Sequence, residues 1–293
     1  MTDRVKALAS APDTDEAAEV DKVLRRVEQL AAVGAGVSSL EALAAIRDVE
    51  HGSLLSWQVA RTRFPWMVGR AARVLDVVFD KEGLRALHGL RLVSAGTVLA
   101  GRRNRAGKRA AKAYLAGSSH AMRLRSPYGS DGSEVLLSIT LTALTLADLA
   151  KDDARARKAC LWFIAAQSCL SYGIAGAAKA VSPVWRDGSA IRDIFRTKIF
   201  GQRELFRFLN DKPRLNRAIG WVTIGGEALF PLVLLAPKPI ARGLLAVGLS
   251  FHTGNAVAMG LNRFVWAFVS TYPAIEYCAR GLGGDRRKGQ PES

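Results

Sequence analysis

Phe251-His-Thr-Gly-Asn-Ala-Val-Ala-Met-Gly-Leu-Asn-Arg-Phe-Val-Trp-Ala-Phe-Val-Ser-Thr-Tyr-Pro-Ala274 is the stretch whose reading decides the fold. It is apolar enough for a bilayer, yet it carries His252, Asn255, Asn262 and Arg263. Polar side chains in hydrocarbon are costly, so they mark a lined cavity, a helix contact or a site. Working outward, apolar segments cover 134–150, 159–181, 218–236, 240–260 and 264–279. Several approach the roughly 20 residues that cross the hydrocarbon; the shortest need help from their flanks or a thinned bilayer. A core helix of a soluble protein can be as apolar, but five in succession demand a large polar cover elsewhere. The expected fold is all-α, a polytopic integral membrane helical bundle with interfacial helices.

The charge distribution agrees. The chain carries a formal net charge of +16, while acidic residues (Asp13, Asp15, Glu16, Glu19, Asp21, Glu28) crowd the first 50 positions. A basic balance can signal nucleic acid. Here Lys and Arg sit in the connections between apolar runs, where they set orientation and meet anionic headgroups, so membrane lipids are the expected partner and nucleic acid is not. Cys160, Cys169 and Cys278 lack metal-ligand spacing and read as small buried hydrophobes. Residues 1–30 show no targeting peptide, so insertion is expected from an internal span.

Four regions follow. Residues 1–50 are an acidic, partly disordered helical region, in which Ser38 and Glu41 have capping-box spacing. Residues 51–83 mix Trp57, Trp66 and Val68 with Arg61, Arg63, Arg70 and Arg73, the pattern of an amphipathic interfacial helix. Residues 84–279 form the membrane domain, its first stretch, 84–101, a weak span interrupted by Arg85, His88 and Arg91. Residues 280–293 are a basic disordered tail. Between spans, 183–217 alternates apolar residues with nine Lys or Arg and predicts one or two interfacial helices.

Two side chains stand out chemically. Lys179 ends the small-residue run Ser171-Tyr-Gly-Ile-Ala-Gly-Ala-Ala-Lys179. It reads either as a helix-end lysine reaching for phosphate or as a desolvated amine able to act as a base. His252 shares nearly one helix face with Asn255 and Met259, and reads either as a packed residue or as a catalytic one. Glu227 is the strongest acidic residue within a span, able to offset Lys179, His252 or an arginine. Trp185 and Asp187 follow Lys179 at the expected interface, and Asn262 and Trp266 begin the last span. Tyr128-Gly-Ser-Asp-Gly-Ser-Glu134 precedes a span, with Asp131 or Ser133 placed to cap it. No His falls at metal-ligand spacing, and no bound metal is expected.

On Tyr128-Gly-Ser-Asp-Gly132, Tyr172 to Lys179, Trp185-Arg-Asp-Gly188 and His252 through Tyr272-Pro-Ala274, the chain resembles the horizontally transferred transmembrane domain superfamily. Within it the chain resembles the bacterial branch related to sporulation-delaying peptide maturation proteins, over about 120–279. A more distant resemblance is to vitamin K-dependent gamma-glutamyl carboxylase, whose pattern matches Tyr172-x-Ile-Ala-Gly-x-x-Lys179. The resemblance implies a pocket for a reduced quinone, with molecular oxygen as oxidant. In it Lys179 falls on the family's base and His252 on the histidine of its Phe-His motif. Tyr172, Trp185, Asp187, Glu227, Asn255, Asn262 and Trp266 are the expected quinone contacts. The carboxylase's large extramembrane substrate-recognition region has no counterpart in this sequence, and the histidine pattern is missing around Gly129–Glu134, so glutamate carboxylation does not carry over.

Two readings remain open. One is a bacterial cytoplasmic-membrane protein that matures or modifies a secreted peptide, acting with a separately encoded soluble partner. The other is a quinol- and oxygen-dependent oxidoreductase acting on a small molecule or lipid, or a quinone-binding protein without turnover.

Overall fold

The computed structural model describes residues 13–49, 53, 55–100, 104–126 and 131–283. Tyr128 to Ser130, Arg102 and Arg103 lie outside them, as do residues 1–12 and 284–293 of the two expected disordered ends. Regular structure among the described residues is entirely helical. Among the described residues three helices, rather than the five expected spans, are long and apolar enough to cross a membrane: Gly132–Leu149, Ala154–Val181 and Pro213–Leu235; the expected span 240–260 is not among them. The protein is a multi-pass helical membrane protein.

The chain divides into two compact units, one covering Pro12–Cys160 and the other containing Leu161–Ser293. In the first, α1 (Thr14–Ala44) begins at Asp13, whose carboxylate accepts the Glu16 N–H at 2.8 Å, satisfying an otherwise orphan amide. The capping start expected at Ser38 does not occur. Ser39 lies inside the helix, buried, its hydroxyl turned back onto the Ala35 carbonyl. Val20, Val23, Leu24, Val27, Ala31 and Ala35 recur at helical spacing and form the buried stripe of α1.

That stripe packs against α4 (Lys81–Ala100), which packs on α5 (Arg105–Arg125), which packs on α6 (Gly132–Leu149), which returns to α1. The result is a closed circuit of four helices. Asp131 caps α6, accepting from the Glu134 N–H at 2.9 Å. The weak span expected over 84–101 is the continuous helix α4, which takes up His88 and Arg91 and is not among the three helices apolar enough to cross a membrane. The amphipathic region is two short helices, α2 (Trp57–Arg61) and α3 (Gly69–Phe79), rather than one. Trp57 is buried against Phe79 and donates its ring N–H to Asp76 at 2.7 Å, whereas Trp66 and Val68 remain exposed.

Charge closes one part of this circuit. The Lys112 ammonium, 4% exposed, lies between Glu28 of α1 (3.3 Å) and Asp148 of α6 (2.5 Å), and Lys108 adds a contact to Glu28 at 2.7 Å. Three helices are thereby tied through opposite charges held away from water.

The second unit holds most of α7 (Ala154–Val181). Here Leu161, Ile164, Ala165, Ser168, Cys169 and Tyr172 point inward, while Phe163, Leu170, Ile174 and Val181 point outward. In a membrane protein, such outward apolar faces meet lipid. After α7 come the short helices α8 (Pro183–Arg186), α9 (Ser189–Ile194) and α10 (Arg203–Asn210). The span α11 (Pro213–Leu229) continues as a tight 3₁₀ segment to Leu235, where Pro231 removes a helical donor. Then follow α12 (Lys238–Met259), α13 (Asn262–Val269) and α14 (Tyr272–Gly283).

The expected single rod over 264–279 is corrected: α13 and α14 are separate helices broken at Ser270-Thr271. Both hydroxyls turn onto backbone carbonyls one turn earlier, Ser270 onto Ala267 and Thr271 onto Phe268. Pro273, at the second position of α14, has no N–H to continue the ladder. Eight residues of α13 are too short to span. α14 reaches Gly283, so the first part of the expected tail is helical.

Candidate functional site

α7 and α11 meet along a seam of small residues. A Cβ at Gly176 would lie 2.3 Å from the Ala228 nitrogen and 2.7 Å from its Cα, so only glycine allows these backbones so near. The contacts run antiparallel: Lys179 against Glu227, Gly176 against Ala228, Gly173 against Pro231 and Tyr172 against Phe230. Two polar clusters sit on this seam. Their α7 residues, Lys179 and Tyr172, are seven positions apart, about 10 Å along one face.

At the first cluster, the Lys179 ammonium donates to the Glu227 carboxylate at 2.6 Å and lies 5.1 Å from the centre of the Trp185 ring. Of the partners open to Glu227 from sequence, Lys179 is the one it meets. The lysine is thus an ion-paired group, not a lone amine facing hydrocarbon.

At the second cluster, the Tyr172 hydroxyl lies 2.6 Å from His252 Nε2 and 2.8 Å from the Tyr272 hydroxyl. Three helices, α7, α12 and α14, each contribute one member of this row. His252 is 3% exposed and Tyr172 4%. The rings are packed rather than merely near: Tyr172 stacks on Phe230 at 3.9 Å, His252 stacks on Phe268 at 4.4 Å, and Phe268 meets Tyr172 edge-on. A Cβ on Gly248 would come within 2.5 Å of the Tyr272 hydroxyl, so glycine there leaves room for the row's far end. The Thr271 hydroxyl, just before Tyr272, also lies 2.8 Å from that of Ser168 and ties the helix break to α7.

The row supports two proton arrangements. With Nε2 unprotonated, Tyr272 donates to Tyr172 and Tyr172 donates to His252. With Nε2 protonated, both bonds reverse. His252 Nδ1 is buried and has no hydrogen-bond partner among the described residues. A proton entering at one end can therefore be matched by one leaving the other, with no heavy atom moving.

The remaining expected contacts disperse. Asp187 is exposed and accepts from the Ser189 N–H at 2.8 Å, a turn at the start of α9; that bond holds its carboxyl below the usual carboxylate range. Asn255 is half-buried on α12, one turn beyond His252. Asn262 is exposed at the start of α13, and Trp266 is half-buried on α13, outside the ring cluster. Tyr272, Phe230 and Phe268 are site residues that the sequence reading did not assign. Phe264 and Phe268, four apart, gave one signal, and Tyr272 lay within the quoted motif, but their convergence depends on the break at Ser270-Thr271. Among the described residues no group of three His, Cys, Asp or Glu side chains is arranged to hold a metal.

Compared with protein families, curated proteins and solved structures, the chain shows no match.

Proposed function

We propose that this membrane protein binds a reduced quinone headgroup at the Tyr272–Tyr172–His252 row, and that the resulting oxidative chemistry matures or modifies a secreted peptide at a bacterial cytoplasmic membrane. The observation that carries this reading is the row itself: three buried polar groups from three helices, hydrogen-bonded in series, with an unpartnered ring nitrogen at one end. Buried polar groups are expensive in a membrane protein unless they serve a site.

The residues suit such a headgroup. It is a flat ring bearing oxygens, and the row offers stacked aromatic faces (Phe230, Phe268), a phenol and an imidazole nitrogen. A reduced quinone supplies two electrons and two protons, which molecular oxygen can accept. In this arrangement the row would take a proton at His252 or Tyr272 and pass it along without charge separation. Lys179, held by Glu227, can act as a base only after its ammonium gives up a proton. Trp185 and Glu227 position it at the other end of the seam.

That same ion pair favours a second reading, quinone binding without turnover, in which Lys179–Glu227 only locks α7 to α11. Oxygen uptake separates the two. In lipid nanodiscs supplied with reduced native quinone, turnover requires saturable oxygen consumption that falls at least tenfold in Lys179→Met and His252→Gln. Binding without uptake supports the second reading. Absence of both binding and uptake overturns the quinone proposal. Peptide maturation is tested separately: clean deletion of the gene must change the mass of a secreted peptide, and an unchanged secreted profile rejects that part.

A further inference from the structure

In the unit covering Pro12–Cys160, Arg91, midway along α4, is a buried charge with no ion pair among the described residues. It is 4% exposed, and its guanidinium meets only uncharged oxygens. Nε donates to the Ser39 hydroxyl at 3.1 Å. One terminal nitrogen donates to the hydroxyls of Ser118 (2.6 Å) and Ser119 (3.0 Å) and to the Leu115 carbonyl (3.3 Å). Those two hydroxyls in turn donate to that same carbonyl, so they supply lone pairs to the arginine but no negative charge. No carboxylate lies within ion-pair distance of Arg91 among the described residues; Glu134 and Tyr114 act on it only through space.

Several other basic groups in this unit have carboxylate partners. Lys108 and Lys112 have Glu28 and Asp148, Arg157 has Asp21, and Lys158 has Glu16. A fully buried cation normally brings its own counter-charge, because leaving it uncompensated costs far more than hydrogen bonds to neutral groups return. One turn before Arg91 on the same helix face, His88 is likewise 4% exposed, and its Nδ1 has no partner among the described residues. The charged groups acting on this imidazole are Arg91 and Arg125, both positive. Two buried nitrogen-bearing side chains thus share a region of positive potential with no carboxylate in ion-pair contact among the described residues.

We propose that Arg91 and His88 bind an oxyanion, a carboxylate or phosphate group, between α4 and α5. The guanidinium's second terminal nitrogen makes no hydrogen bond among the described residues and carries two N–H groups for the anion. Protonated Nδ1 of His88 would supply a further donor. The group could belong to a lipid headgroup or to a soluble anion, and the two sources are separable by experiment.

Purified, delipidated protein in neutral detergent is titrated with inorganic phosphate, acetate or phosphatidic acid, with sodium chloride matching ionic strength, and thermal unfolding is followed. Binding to the folded state raises the midpoint saturably. Saturation with phosphate or acetate identifies a soluble anion; saturation with phosphatidic acid alone identifies a headgroup. The shift should vanish in Arg91→Gln and require at least fivefold more ligand in Arg91→Lys and His88→Gln. Should Arg91→Gln fail to fold, Arg91→Lys and His88→Gln decide. No saturable shift with any of the three probes, or a shift unchanged in Arg91→Lys and His88→Gln, overturns the proposal.

Discussion

Replacing Gly176 with alanine tests the seam that carries both polar clusters. The new Cβ would sit 2.3 Å from the Ala228 nitrogen and 2.8 Å from the Glu227 carbonyl carbon. Ordinary contact begins near 3.4 Å, so α7 and α11 must part by about 1 Å, and backbone atoms cannot rotate aside. Overpacking of this kind costs about 1–3 kcal/mol. The same displacement would stretch the 2.6 Å Lys179–Glu227 contact beyond hydrogen-bonding range. The control is Gly225→Ala on α11, where nothing lies within 4 Å of the added carbon. That change should be neutral or stabilising by up to about 1 kcal/mol, because alanine restricts the unfolded chain and favours helix. Thermal or denaturant unfolding in one detergent compares the pair. If Gly176→Ala proves as stable as the parent, or Gly225→Ala loses as much, the close seam is wrong.

Other substitutions probe separate contacts. Tyr172→Phe removes the hydroxyl shared by His252 and Tyr272 and should destabilise by about 1–3 kcal/mol, more than Tyr272→Phe at the row's end; equal losses would deny the central position of Tyr172. Lys112→Met leaves the Glu28 and Asp148 carboxylates without their shared ammonium and should cost about 3–5 kcal/mol, partly recovered by adding Glu28→Gln; a double variant no better than the single one argues against that network. The depressed Asp187 carboxyl gives stability that is present above the ordinary carboxylate pKa and lost as pH falls through its lower folded value. Exchange of the Ser189 amide should therefore accelerate only below the usual carboxylate range, and an Asp187→Ala variant should show no such step.

The membrane fold was legible because length and apolarity are local properties: 134–150, 159–181 and 218–236 each correspond to a helix long enough to span. Glu227 was legible as a charge in an apolar run that needs an opposite partner, with Lys179, His252 or an arginine open to it; the packing of α7 on α11 selects Lys179. The rest depended on non-local geometry. Pro273 marked a possible stop within 264–279, but not that Ser270 and Thr271 would turn their hydroxyls onto the preceding turn and break the rod there. Without that break, Tyr272 could not be placed beside Tyr172. His88 and Arg91 read as flaws in a weak span because single-sequence patterning counts their polarity and does not see Ser39, Ser118 and Ser119 arriving from neighbouring helices. Ser38 and Glu41 had capping spacing, but packing against α4 carried α1 straight through them.

Mass spectrometry of the small lipids that copurify with the protein is the most direct test of the quinone site. A ring-headed isoprenoid quinone should accompany the parent protein and be depleted in folded Tyr172→Phe and His252→Gln variants. Recovery of phospholipids alone from the parent, or equal quinone from all three, would contradict binding at the Tyr272–Tyr172–His252 row.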